Sequence, residues 1–267
     1  MSGGEHGFTS IAPGVWQRTD STDATYYIVE GTERALVIDT GMETCDINAV
    51  IASVTSLPYD LALTHGHGDH SMHCVKFSKI YLDMADKDFL FKNRFDGQEI
   101  PEESALCEIS DGYTFDLGGG VTIETVALHG HTPGSVLFAD RSHKCVFVGD
   151  AFGSGCGVWM QVPGGSDLSD YAKSLANAEA RLRDIGVDDT WSFCGGHAAQ
   201  CYMSSVSPYN PPCLKMMADM RMLCEKLISG EIVGSGDGLE GLSERFGASL
   251  KAAYATAEMI YRPEQLK

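Results

Sequence analysis

The densest chemistry in the chain lies in six consecutive residues, His65-Gly66-His67-Gly68-Asp69-His70. Imidazole and carboxylate groups are ligands of borderline or hard divalent cations, so three histidines and an aspartate at this spacing constitute a candidate metal site. Alternate residues of an extended segment share a side, which lets His65 and His67 reach one cation. Asp69 and His70 are adjacent and suit a second. Three further candidate ligands, His131, Asp150 and His197, stand apart in sequence, each soon after a short apolar run.

Those runs are the elements that must position the ligands. Leu61 to Leu63 leads straight into Thr64 and His65, Val121 to Leu128 precedes His131, Cys145 to Val148 precedes Asp150, and Trp191 to Phe193 precedes Cys194-Gly195-Gly196-His197. In layered α/β proteins functional groups gather on loops just beyond strand ends, so four such strands would bring their ligands to one edge. The chain opens on three more strands, Ile11 to Arg18, Ala24 to Glu30 and Ala35 to Asp39, read as a β-meander. Asp39 sits at the end of the third, where it would brace the ligand loop without binding a cation.

Helical spacing marks Cys45 to Val54, and again Leu168 to Leu182 between the cap signal Ser166-Asp167 and the stop at Gly186. Leu214 to Ile228 reads as a Met-rich helix carrying Met216, Met217 and Met220. A loop is expected over Pro208 to Pro212, a short helix over 239–246 and one closing strand over 249–262. No repeat or linker forces a boundary, so 1–267 is read as a single domain with 208–246 as a mainly helical C-terminal portion.

Bulk properties narrow the partners. With 267 residues, 43% of them hydrophobic, the chain can bury a large core. Its 19 basic and 37 acidic residues give a net charge of −18, a field that repels nucleic acid and anionic membranes. The sequence shows neither a secretory signal nor an apolar stretch of membrane-spanning length, and its nine cysteines form no C-x-x-C pair. A cytoplasmic protein with reduced thiols and a small-molecule substrate is the expectation. His6, His73, His129 and His143 are expected to be structural, and Cys156 and Cys194 to pack near the site.

Taken together, Val37-Ile-Asp39-Thr-Gly41, Thr64-His-Gly-His-Gly-Asp-His70, Gly130-His-Thr-Pro-Gly-Ser135, Gly149-Asp150 and Gly196-His197 resemble the metallo-β-lactamase fold superfamily, in that family's order. The resemblance implies an α/β fold, an αββα four-layer sandwich with the metal site at one edge of the β-sandwich. It implies that His65, His67 and His131 hold one metal, that Asp69, His70 and His197 hold a second, and that Asp150 bridges both. Two divalent ions per chain follow; zinc fits best, and iron or manganese accept the same ligands. A water shared by two such ions loses a proton near neutral pH, giving a bridging hydroxide that Asp69 would orient.

The zinc β-lactamases generally lack the bridging aspartate, so Asp150 points to the ester, thioester, lactone and phosphodiester branches. Gly149-Asp150-Ala-Phe152 with Gly155-Cys-Gly157 is similar to the hydroxyacylglutathione hydrolases. Where that family continues with a basic residue, this chain has Val158-Trp159-Met160. Trp159, Met160 and Val162, with Met216, Met217 and Met220 if the late helix folds over the site, would form an apolar wall; simple core packing is the competing reading. The leading expectation is hydrolysis of a small carboxylic ester, thioester or lactone. The alternatives are a phosphodiesterase and a metal-binding sensor without turnover.

Overall fold

The computed structural model describes residues 7–92, 94–95, 97–153, 157–198, 213–236 and 247–267. Its first sheet joins seven strands in sequence order: β1 (Thr9–Ala12), β2 (Val15–Thr19), β3 (Thr25–Glu30), β4 (Ala35–Ile38), β5 (Tyr59–Ala62), β6 (Ile80–Leu82) and β7 (Leu106–Glu108). β1 to β4 form an antiparallel meander, and β4 to β7 continue in parallel. The run expected as one strand from Ile11 to Arg18 is a hairpin instead, because Gly14 turns the chain at φ +77° between β1 and β2.

The second sheet takes β8 (Thr114–Asp116), β9 (Thr122–Ala127), β10 (Val136–Asp140), β11 (Cys145–Gly149) and β13 (Ser192–Gly195) in the order β13-β11-β10-β9-β8. Side chains that alternate along the strands sort the core into layers. Leu36 and Ile38 of β4 meet Val136, Phe138, Cys145 and Phe147 between the two sheets. Ala35 and Val37 face the other way, onto Ile47, Val50 and Ile51 of α1 (Ile47–Ala52). On the far side Leu137, Val146 and Val148 pack against α4 (Leu168–Ile185) and α5 (Cys213–Ile228). Two sheets face to face with helices outside are the αββα sandwich. β4 and β10 are buried on both faces, which is why β4 reads as an unbroken apolar run and β10 does so up to its closing Asp140.

The helix over Leu168–Ile185 ends as its sequence demands, with Gly186 left-handed at φ +96°. Two short helices, α2 (Gly68–Ser71) and α3 (Lys87–Lys92), lie on the ligand side. The closing strand expected over 249–262 is two strands, β14 (Leu250–Tyr254) and β15 (Ala257–Tyr261), folded as a hairpin with Ala255 at φ +51°. They join β12 (Val158–Trp159) in a small third sheet. Met216, Met217 and Met220 are buried in the layer with α4 and this hairpin, so the Met-rich helix is core. The loop at 208–212, the helix at 239–246 and the Gly155-Cys156 pair lie outside the described residues. Among the described residues no helix is long and apolar enough to cross a membrane.

β9, β11 and β13 run in one direction, so their ends open on the same edge. The sheets are stitched there: Thr64 O accepts from Val136 N (2.9 Å), Gly196 O from Thr25 N (2.8 Å) and Gly195 O from the Tyr27 hydroxyl (2.6 Å).

Candidate metal centre

Seven side chains from four strand ends meet at that edge in two groups, His65, His67 and His131 in one and Asp69, His70, Asp150 and His197 in the other. In the first group His67 Nδ1 stands 3.1 Å from His65 Nε2 and 3.0 Å from His131 Nε2, so three nitrogens converge on one point. In the second, His197 Nε2 lies 3.4 Å from Asp69 Oδ2, and His70 Nε2 lies 3.7 Å from the same oxygen. Asp150 reaches both. Its Oδ1 is 3.5 Å from His70 Nε2 and from His197 Nε2, while its Oδ2 is 3.8 Å from His131 Nε2.

The outward nitrogens are tied to fixed acceptors, which sets the inward ones. His131 Nδ1 donates to Trp159 O (3.0 Å), and His70 Nδ1 donates to Asp39 Oδ2 (2.9 Å). Thr64 Oγ1 donates to Asp39 Oδ2 (2.7 Å) and therefore accepts from His65 Nδ1 (3.1 Å). Such outer partners fix the ring orientation and leave Nε2 as the ligating atom. Asp39 also accepts from Thr64 N (2.8 Å), so one carboxylate at the end of β4 holds the start of the ligand loop and one of its histidines. It does so with a left-handed backbone, φ +63°.

Electrostatics divide the two groups. Burial, then the neighbouring histidines, keeps His65 well below the usual imidazole range, and burial and His67 push His131 down to about 3. These rings are neutral at pH 7. In the second group burial opposes charge, but the carboxylates outweigh it: Asp69, Asp150 and Asp39 raise His70 to about 9, and Asp150 and Asp69 raise His197 to about 11. Burial likewise opposes the charge on Asp69, which His70 and His197 nevertheless hold down at about 2. His70 Nε2 and Asp150 Oδ1 are buried without a hydrogen bond, and such orphaned atoms are rare unless something else binds them. Neutral imidazoles on one side, carboxylates on the other and orphaned inward atoms between them fit divalent cations.

A family model described as the metallo-beta-lactamase superfamily matches residues 84–197. The fold agrees with a metallo-β-lactamase carrying a HARLDQ motif from Cronobacter sakazakii, at a TM-score of 0.61 and 16% identity over 84% of this chain and 89% of that one. The chain has the metallo-β-lactamase fold, and residues 84–197 are similar to that superfamily. A β-lactamase domain protein from Burkholderia ambifaria shares this metallo-β-lactamase fold, with a TM-score of 0.59, 14% identity, and coverage of 86% and 80%. Among curated relatives, an atrochrysone carboxyl ACP thioesterase of Aspergillus novofumigatus is 33% identical over 136 residues, 49% of this chain and 39% of its own length. One of the same name from Passalora fulva is 28% identical over 171 residues, 61% and 46% of the two chains. The chain thus spans less than half the length of these relatives. Metal dependence is general to the superfamily, and His and Asp groups able to bind metal are present here.

Other expected residues fall elsewhere. His73 turns to Glu43 O (2.9 Å), His129 pairs with Asp83 (3.4 Å) and His143 with Asp140 (2.6 Å). His6 lies outside the described residues. Cys194 is buried between the sheets, and Met160 packs into the outer core with Met216 and Met220. Trp159 stays beside the site through its carbonyl.

Sequence reasoning missed Asp86. Its fully buried carboxylate accepts from Gly66 N (2.8 Å) and Thr132 Oγ1 (2.6 Å) through Oδ2, and from Gly134 N (2.6 Å) through Oδ1. It therefore joins the loop of His65 and His67 to the loop of His131. Burial pushes its pKa up, against those three bonds. Replacing Asp86 by Ala strands three buried donors and is expected to cost about 2–4 kcal/mol in urea unfolding. A competition titration should show metal affinity falling on the order of 10- to 100-fold.

Proposed function

We propose that this chain is a metal-dependent hydrolase of small acyl substrates, with thioesters ahead of carboxylic esters and lactones. The observation that carries the reading is Asp150, whose two oxygens address the two ligand groups separately. The thioesterase names of the curated relatives favour the thioester among acyl groups.

His65, His67 and His131 would hold one ion, Asp69, His70 and His197 a second, and Asp150 would bridge them. Zinc is the proposed metal. Two such ions supply a water acidified to near neutral pH and a Lewis acid for the acyl oxygen. The chain's own residues do the rest. Asp69 stays ionised down to about pH 2, so at neutral pH it accepts a hydrogen bond and orients the attacking water. The water oxygen adds to the acyl carbon, the carbon–sulfur bond breaks, and a carboxylic acid and a thiol leave. The neutral trio places the acyl group, and Asp39 and Asp86 hold the loops that make its position reproducible.

The test is a substrate panel with zinc-loaded protein. Acyl thioesters, esters and lactones should be cleaved, with thioesters fastest; bis-aryl phosphodiesters cleaved faster than every acyl substrate would replace this reading with a phosphodiesterase. No cleavage of any substrate by protein that retains its metal would favour a sensor.

Metal uptake should also release protons unevenly. At pH 7 the raised pKa values leave His70 and His197 protonated, whereas His65 and His131 are already neutral. A cation entering the second group must displace those protons, so its affinity should rise with pH, steeply up to about 9 and more gently up to about 11. Calorimetry in buffers of different ionisation enthalpy should assign about two released protons to that group and about none to the first.

A further inference from the structure

Two buried carboxylates outside the ligand set tie down the backbone that carries the ligands. Asp86 joins the loop of His65 and His67 to the loop of His131. Asp20, directly after β2, is the other. It is 7% exposed and accepts five hydrogen bonds. Its Oδ1 takes Thr22 N (2.8 Å), the Thr22 hydroxyl and Ala24 N (3.2 Å), and its Oδ2 takes Met42 N (2.8 Å) and Glu43 N (2.9 Å). Burial opposes the charge on Asp20, but the bonds from Thr22, Glu43 and Met42 outweigh it and hold the pKa below the usual carboxylate range. Gly41 passes so close to Oδ2 that a Cβ there would collide with it.

The two oxygens of Asp20 lead to different metal-ligand histidines. The Oδ1 bonds shape the turn from β2 to β3, in which Asp23 takes a left-handed backbone at φ +77°. From that turn Asp23 O accepts from Ala198 N (3.1 Å) and Thr25 N donates to Gly196 O (2.8 Å), with Ala24 opposite His197 in an antiparallel bridge. The backbone is therefore gripped on both sides of His197. The Oδ2 bonds hold the turn that follows β4 and Asp39. In that turn Thr40 N donates to His70 O (2.9 Å), and the Thr40 hydroxyl lies 3.1 Å from the same oxygen. One carboxylate thus links the segment that grips His197 to the segment that grips His70.

We propose that Asp20 is the positioning residue of the second metal group, fixing His70 and His197 relative to each other as Asp86 fixes His65 and His67 relative to His131. The proposal rests on the two-metal reading above. Ligands held in place before the cation arrives need no ordering when it binds, so loosening one pair weakens the site that uses it. Asp20 and Asp86 share no bonding partner, which makes the two metal positions separately adjustable.

Zinc-edge anomalous diffraction from protein dialysed against limiting zinc, together with a competition titration, reads each position without recourse to activity. Wild-type protein should hold zinc at both groups. Asp20→Asn keeps the volume but replaces one acceptor oxygen with a donor; it should weaken zinc at the second group about 10- to 100-fold and change the first by no more than about threefold. Asp20→Ala releases both turns and should weaken the second group further, while Asp20→Asn keeps the test open if the alanine variant does not fold. Asp86→Ala should give the reverse pattern, with the larger loss at the first group. Equal losses at both positions in the Asp20 and Asp86 variants would mean two merely structural carboxylates and overturn the proposal, as would wild-type affinity at both positions in Asp20→Asn and Asp20→Ala. Zinc at a single position in wild-type protein overturns the two-metal reading itself, and the proposal with it.

Discussion

Asp150→Ala should abolish hydrolysis while leaving the fold intact, with kcat/KM for an acyl thioester falling on the order of a thousandfold or more. The side chain is 6% exposed and stands at the end of β11 on a backbone that Gly149 turns at φ +48° against Thr64. Oδ1 serves the Asp69, His70 and His197 group, and Oδ2 faces His131. Removing it leaves two positively biased histidines, His70 and His197, with Asp69 as the remaining carboxylate between them. The variant should therefore retain about one metal per chain, in the neutral trio. Elemental analysis with steady-state kinetics checks both parts. Asp150→Asn is the sharper form, since it keeps the volume and one oxygen but cannot bridge as an anion.

Stripping the metal with a chelator should reduce hydrolysis to background and restore it on adding zinc. It should also lower the melting temperature. At a free zinc concentration a hundredfold above its dissociation constant, each bound ion adds about 3 kcal/mol, or roughly 5–10 °C in a chain of this size. The loss should fall on the loops that cross the site edge, since His65, His67 and His70 come from one loop and His131, Asp150 and His197 from three others. Hydrogen exchange on stripped protein should rise first at Gly66 to Ser71 and around Gly130 to Ser135, with the strands between the sheets remaining protected.

The site was legible because its signal is local. His65 to His70 is a single run, and His131, Asp150 and His197 each follow an apolar strand that the residue types announce. Asp39 was legible for the same reason, as a carboxylate closing a buried strand. Asp86 was not. Its function depends on bonds to Gly66, Thr132 and Gly134, which are distant in sequence, and nothing in Asp83-Met-Ala-Asp86 marks a buried staple; the sole local trace is the Asp83 cap on a short turn.

Among the elements, α4 carried its own apolar stripe and glycine stop, although Asp167 at its start makes no capping side-chain bond. The hairpin of β14 and β15 was hidden because it turns at Ala255-Thr256, which lacks the usual Gly, Asn or Pro, with Ala255 held left-handed. β6, β7 and β8 span three residues each, too few for a period to show. The Met-rich helix could pack over the site or into the core, and only the positions of α4 and β15 decide for the core.

Stoichiometric metal titration of stripped protein, read by thioester hydrolysis, tests the central claim most directly. Activity should climb to a plateau at two equivalents of zinc per chain, and Asp150→Ala should bind about one equivalent without gaining activity. Full activity in metal-free protein, or a plateau below one equivalent, would contradict it.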